Sequence, residues 1–538
     1  MDRRGFLTKG VPAAAATVAA VKGSHAKGGM TPGDPGSASA RSAYNTENAA
    51  PMLFGTNRRT AAGLEPYVPD AEIPWNERTV AHLLRRTTFL PTWVDIKAGL
   101  TMQPGELVDT LLEDAPLPPS PGQWIDAIYE KPVTDDEERA YENRNRNNMN
   151  ELRGWWADLM AQSGLNLTEK MVLFWSGHIT SESREVEIPQ FMYRQNLLFR
   201  NHVFGDFRQL IKETNYDAAM LRYLGGDINE RREPNENYAR ELMELYTMGE
   251  GHYTEQDIKE AARALTGWRL DEFSSYDPFF NPLYHDTGNK TFMGQTIVGQ
   301  DSLAGRFEGD QVVDIIFQRE EVATFMCRKF YRYFVYSDPF AVDGEIVNGL
   351  AEVFRQNDYR IRPVLQTLLK SRHFFDKVNQ GAMIKSPAVL IAGLARQLSN
   401  QSMPEGLAER MEELEQELMN PPTVQGWEDY RTWISTTTFP RRVAMANEFI
   451  YGGSGIPATD VRAWAKTIDD HNDAEKLIDN ILTMLIPKPV SSSRRAQYLN
   501  TMLGGAPVYD WDVDAAAAES GLRAALQQIF EAPDFELY

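Results

Sequence analysis

The chain has 538 residues, 42% hydrophobic and 24% charged, proportions that supply a sizeable core and exclude wholesale disorder. A formal charge of −21 disfavours partners bound through attraction to phosphate, so nucleic acid and anionic membranes are excluded as principal ligands, while neutral substrates or divalent cations suit the surface better. The single cysteine, Cys327, rules out an internal disulfide; beside Met326, Phe330 and Phe334 at i, i+4 and i+8 it reads as a buried, inert thiol.

The first residues carry Arg3 and Arg4 in tandem, then Phe6, Leu7 and Lys9. An alanine-rich apolar stretch from Val11 to Val21 is too short to span a bilayer, and Ser24-His25-Ala26 offers the small residues a signal peptidase reads. Residues 1–26 are expected to be a twin-arginine export signal, which sends the folded chain to the periplasm or outside the cell. Its removal leaves 51 basic and 75 acidic residues and no integral membrane segment in the mature chain. Residues 27–75, rich in Gly, Ser, Ala and Pro, read as a flexible lead-in that becomes ordered near Ile73 or Trp75.

From Asn76 onward, helical periodicity dominates and no internal cut is convincing, so residues 76–538 are read as one large all-α, multi-helical domain with one irregular loop or small β-hairpin insertion. Asn76 can cap a helix with Val80, Leu83 and Leu84 on its apolar stripe, and short helices follow over Thr92 to Gly99 and Pro104 to Glu113. The charged run from Asp135 to Asn150 leads into Leu152, Trp156 and Met160 as one long helix. EKMVLFWSGHIT then ends a helix on His178, a position where a histidine is more often a cap or a satisfied core residue than a ligand.

The stretch from Asn235 to Trp268 reads as two helices folded back on each other. Glu236, Arg240 and Glu244 fall at i, i+4 and i+8, and with Asn237 and Glu241 they occupy one arc of roughly 140° on the wheel. Such an arc is more often a solvated face than part of a site, where its inward charges would need a partner. Thr254 with Asp257 resembles a capping box for the second helix, whose buried stripe is Ile258, Ala261, Ala262 and Leu265. Beyond Trp268 the helical pattern stops in an irregular loop carrying His285, Asp286 and Lys290, with short strands expected only between Phe279 and Val298. Helices return from Gly309, Met411 to Met419 reads as an exposed amphipathic helix, Trp427, Tyr430 and Trp433 read as packing residues, and Gly521 to Phe530 closes the chain as a helix.

AHLLRRTTF, MVLFWSGH, NENYARELMELYTMG with YTEQDIKEAARALTGW, HDTGNKTFMG, MIKSP and PPTVQGW together resemble a bacterial exported family catalogued as domain of unknown function 1800, from about Trp75 to the end. The resemblance implies an exported, mostly helical protein, often encoded beside a second exported family similar to alkaline phosphatases and sulfatases, and it brings no reaction. Relatives commonly read His-Asn-His-Phe where this chain has Ser176-Gly177-His178-Ile179, and His or Phe at Tyr246, which weakens any metal site using those positions.

Two functions are therefore expected. In one, His178, Glu241, Glu244, His285 and Asp286 converge as the catalytic set of a metal-dependent hydrolase of the cell envelope, with Arg240, Lys290 and Asn237 on the substrate and a divalent ion as cofactor. No HExxH-type spacing occurs, so the ligands would come from separate segments. In the other, the chain is a non-catalytic envelope scaffold or partner of the phosphatase/sulfatase-like protein.

Overall fold

The structure, a computed structural model, describes residues 63–399 and 403–538; the export signal and the first part of the lead-in lie outside the described residues. These residues form an all-α fold, 58% helical, with 23 helices and two small antiparallel hairpins. A continuous hydrophobic core runs through it from Tyr67 to Phe535. No helix of the described residues is long and apolar enough to cross a membrane.

The fold takes hold earlier than Ile73. The Tyr67 N–H donates to Lys370 O at 2.8 Å, Arg372 N–H donates to Glu65 O at 2.8 Å, and the Tyr67 ring is buried against Phe375. α1 (Glu77–Thr87) starts at a capping box in which the Asn76 side chain accepts the N–H groups of Arg78 and Thr79 while the Thr79 hydroxyl accepts the Asn76 N–H. It is buried on most sides. α2 (Trp93–Leu100) and α3 (Pro104–Leu111) follow, and α4 is a single helix of 28 residues, Asp135–Gln162. Four acidic residues in its first turn complement the helix dipole, and its second half dips into the core with Leu152, Trp156 and Met160.

α5 (Thr168–His178) is a core helix; of the helices that follow, α6 (Ser183–Val186), α7 (Pro189–Asn201), α8 (Phe207–Thr214) and α9 (Ala218–Tyr223), α7 packs on it and the other three pack on α7. The central hairpin consists of α10 (Asn237–Glu241), which runs directly into a π-helical turn over Leu242–Thr247, and α11 (Glu255–Ala264). The Thr254–Asp257 box caps α11. The expected i, i+4, i+8 register runs into the π turn, in which the Thr247 hydroxyl donates to Leu242 O, five residues away, and Glu244 takes Tyr253 as its partner.

The insertion holds two hairpins rather than one, and the first begins well before Phe279. β1 (Trp268–Asp271) pairs antiparallel with β2 (Ser275–Phe280), and Pro278 is tolerated because a two-stranded ribbon has only edges. β3 (Lys290–Phe292) and β4 (Gln295–Ile297) are joined by Met293-Gly294, both left-handed, as a two-residue hairpin of this kind requires. Asp257 Oδ1 accepts the Met293 N–H at 2.7 Å and holds the turn on α11.

The remaining helices fill the second half of the core. α12 (Glu308–Ile316), α13 (Glu320–Phe334), α14 (Gly344–Gln356) and α15 (Ile361–Leu369) pack in succession, with Cys327 fully buried. The helix Pro387–Leu398, apolar except for Arg396 and Gln397, is buried at every position but Arg396, as its composition demands. Met411 to Met419 is not an exposed helix. Its helix ends at Glu413, and Met411, Leu414, Leu418 and Met419 are all buried.

Candidate active site

The stretches that carry the sequence resemblance meet in three places. AHLLRRTTF on α1 lies with MIKSP and the last residues of the chain: Lys385 N–H donates to Glu536 O, and Arg442 bridges Glu536 and the Lys385 carbonyl. HDTGNKTFMG is stapled to α11. MVLFWSGH meets the π turn and PPTVQGW, where His178 reaches Tyr246 O, Thr180 donates to Val424 O at 2.7 Å, and the Trp427 ring comes up to Gly177. Gly426 has φ +92 and lies so close to the Gly177 carbonyl that no side chain fits there.

The insertion cluster is a set of ion pairs closed on itself. His285, Lys290 and Glu308 are each 0% exposed. Glu308 Oε2 takes the Lys290 ammonium at 2.5 Å, and its Oε1 lies 3.0 Å from His285 Nε2 while accepting the Gln300 N–H at 2.8 Å. Burial pushes the Glu308 carboxyl up, but His285, Lys290 and Gln300 outweigh it and hold the group below its ordinary range. The other ring nitrogen of His285 faces Thr266 O at 2.9 Å. Asp286 accepts Arg263 on both oxygens, at 2.8 and 3.1 Å, and Arg263 also holds Glu260. Burial raises the Asp286 carboxyl, yet Arg263, the Gly288 N–H and Lys290 bring it below the usual value. Lys290 and His285 are thus sealed away from substrate, and Asp286 is engaged. Glu308, which anchors the cluster, was not foreseen; an acidic residue opening a helix is commonplace and carries no sign of its distant partners.

His178 is equally committed. Its Nε2 donates to Tyr246 O at 3.1 Å, and the ring is packed among Phe174, Trp175 and Phe325. Burial, with Lys329 adding to it, pushes its pKa down to about 3, so it is a neutral core histidine.

The carboxylates of the hairpin differ. Arg240, expected among them, turns instead to α11 and is held by both oxygens of Glu255 at 2.9 Å, with Glu236 at 3.6 Å. Asn237 is exposed at the start of α10. Glu241 is half-buried, and among the described residues no hydrogen bond or ion pair reaches its carboxyl; burial, reinforced by Glu244, pushes its pKa up to about 7 against the opposing pull of Arg240. Glu244 Oε2 accepts the Tyr253 hydroxyl at 2.9 Å. Glu250 is raised by burial and by Glu244.

On the other side of Glu241 stand two tyrosines. Tyr223 donates to Glu182 Oε1 at 2.5 Å, and burial together with that carboxylate, Tyr246 and Glu241 raises its hydroxyl above the ordinary tyrosine range. Tyr246, buried with its hydroxyl donating to the Met220 sulfur at 3.9 Å, is raised by burial and by Glu241. Glu182 and Tyr223 were not anticipated either: Glu182 sits in a short polar stretch between helices, and Tyr223 reads as one more apolar-face residue of α9.

The five expected catalytic residues therefore do not converge on one point. His285 and Asp286 belong to the insertion cluster, His178 touches the π turn through a backbone carbonyl, and Glu241 and Glu244 form a carboxylate–tyrosine site of their own. Among the described residues no group of three or more His, Cys, Asp or Glu side chains is arranged to hold a metal ion, so a divalent ion would need ligands other than this set. What the arrangement offers chemically is a proton on Glu241 at neutral pH, next to a second carboxylate positioned by a tyrosine.

No curated protein and no solved structure matches the chain. The model of one family does, over residues 82–537, and it takes in all three meeting places; the chain belongs to that family, described as protein of unknown function (DUF1800).

Proposed function

We propose that the mature chain is an exported hydrolase of the periplasm or cell exterior that works by acid–base chemistry at Glu241 and Glu244. The observation that carries this reading is the Glu241 carboxyl, half-buried, unpaired among the described residues and raised to about 7, at a π turn, a feature frequent at functional sites. Glu241 acts as the acid that protonates a leaving group, and Glu244, oriented by Tyr253, as the base that activates water. Protein purified from its own export route, assayed against a panel of neutral chromogenic esters and glycosides, should turn over at least one class. Glu241→Gln and Glu244→Gln should each lower kcat/KM about a hundredfold or more; an active protein indifferent to both changes would place the chemistry elsewhere. Export by the twin-arginine route is tested by replacing Arg3 and Arg4 with Lys, which should leave precursor in the cytoplasm, and normal export of that variant would refute it.

A second reading, a scaffold for the phosphatase/sulfatase-like exported protein, is favoured by one observation. Phe279, Leu283, Leu303 and Phe307 are 47, 73, 58 and 49% exposed on two segments of the insertion that pack together where Gly305 meets Phe280 and His285. Leu283→Asp with Phe307→Asp should abolish co-purification of such a partner without altering turnover; unchanged co-purification would dismiss this surface.

A further inference from the structure

Lys170, at the start of α5, is 1% exposed, and among the described residues its ammonium nitrogen has no hydrogen-bond partner. It lies among three aromatic rings, 5.3 Å from the Phe89 centroid, 5.9 Å from Tyr333 and 5.0 Å from Tyr538. Another cation, Arg86, places its guanidinium over the same Tyr538 ring at 5.0 Å and donates to Asn379 O at 2.6 Å. Arg85, Lys385 and Arg442 extend this buried basic cluster. Arg85 donates to the carbonyls of Met484 and Ile486, Lys385 to that of Phe535, and Arg442 to Lys385 O and the Glu536 carboxylate. Arg442 is anchored by a carboxylate and Arg85 by the carbonyls that end a helix. Lys170 has three rings around it and a like charge beside it, and among the described residues no hydrogen-bond acceptor for its ammonium.

A buried ammonium without an anion costs free energy, and the group relieves that cost by losing its proton. The resulting amine is a nucleophile enclosed on all sides, which restricts its reagents to molecules of the smallest size. We propose that Lys170 is a carbamylation site whose amine adds carbon dioxide. The nitrogen lone pair attacks carbon and an N–C bond forms. One C–O π pair moves onto oxygen and one nitrogen proton leaves to water, so a neutral amine becomes a carbamate with one negative charge. The product replaces the buried base by an anion beside Arg86 and the Tyr538 and Tyr333 rings, and so supplies a counter-charge to a basic interior. Burial, with Arg86 adding to it, lowers the Lys170 pKa to about 7, which makes the free amine available near neutrality.

The test uses the intact protein equilibrated with 13C-labelled bicarbonate at pH 8. Carbon NMR should show a carbamate resonance that rises with dissolved carbon dioxide and vanishes on acidification, and trapping with triethyloxonium followed by peptide mapping should place the alkylated carbamate on Lys170. Lys170→Met should lose the resonance; if that variant does not fold, the peptide map of the wild type decides alone. Absence of a carbamate, or its appearance only on exposed lysines, would overturn the assignment and leave Lys170 as a cation held by its three rings.

Discussion

Replacing Glu241 by glutamine removes a group whose ionisation the fold resists, and the consequence for stability has a definite sign. The folded-state pKa of about 7 lies above the ordinary 4.5, so the unfolded chain gives up this proton first. The folded state therefore carries no penalty below pH 4.5 and accumulates one as pH rises through 7. A displacement of that size has a ceiling of about 3 kcal/mol; Glu241 is only half-buried, and solvent screening reduces the expected effect to about 1 kcal/mol. Glutamine mimics the protonated acid. Glu241→Gln should match the wild type at pH 5 and exceed it by about 1 kcal/mol at pH 8.5, read as a shift of the urea midpoint at unchanged slope. Equal midpoints at both pH values, or a variant destabilised equally at both, would refute the reasoning that burial and Glu244 hold a proton there.

Breaking the buried ion cluster of the insertion should be costly: Lys290→Met strands Glu308 and is expected to lose about 3–5 kcal/mol, whereas Lys290→Met with Glu308→Leu recovers most of it, a contrast that denaturant titration resolves. His178→Gln keeps a donor toward Tyr246 O but cannot be protonated; it should flatten the loss of stability that the wild type shows as pH falls from 6.5 towards 3, and should leave turnover unchanged. A fall in turnover as large as that of Glu241→Gln would return His178 to the catalytic set.

What the amino-acid order discloses is what local periodicity and capping can encode. The Asn76 and Thr254 caps, the long helix from Asp135, the burial of Cys327 and the hairpin of α10 and α11 all depend on residues within a turn or two of each other. The π turn at Leu242 is invisible to a 3.6-residue template because it inserts one residue into a pattern that otherwise fits, and Glu244 within it pairs with Tyr253 on the far side of the hairpin turn. Pro278 hid a strand that only an isolated ribbon accommodates. Glu308 and Glu182 escaped notice because each acquires its meaning from a side chain on another element. The expected convergence of His178, His285 and Asp286 with the hairpin carboxylates failed for the same reason: every one of those charged or polar groups found a nearer partner, Tyr246 O, Glu308 and Arg263 respectively. Of the expected catalytic groups, Glu241 is the one left without a partner among the described residues.

The claim that Glu241 stores a proton at neutral pH is tested most directly by infrared difference spectroscopy of the wild type against Glu241→Gln across pH 5 to 9. A protonated-carboxyl stretch present in the wild type and missing from the variant, disappearing with a midpoint near 7, is the predicted result. A wild-type spectrum in which that band is already gone at pH 5, with Glu241 ionised like an ordinary surface glutamate, would contradict it and remove the acid from the proposed chemistry.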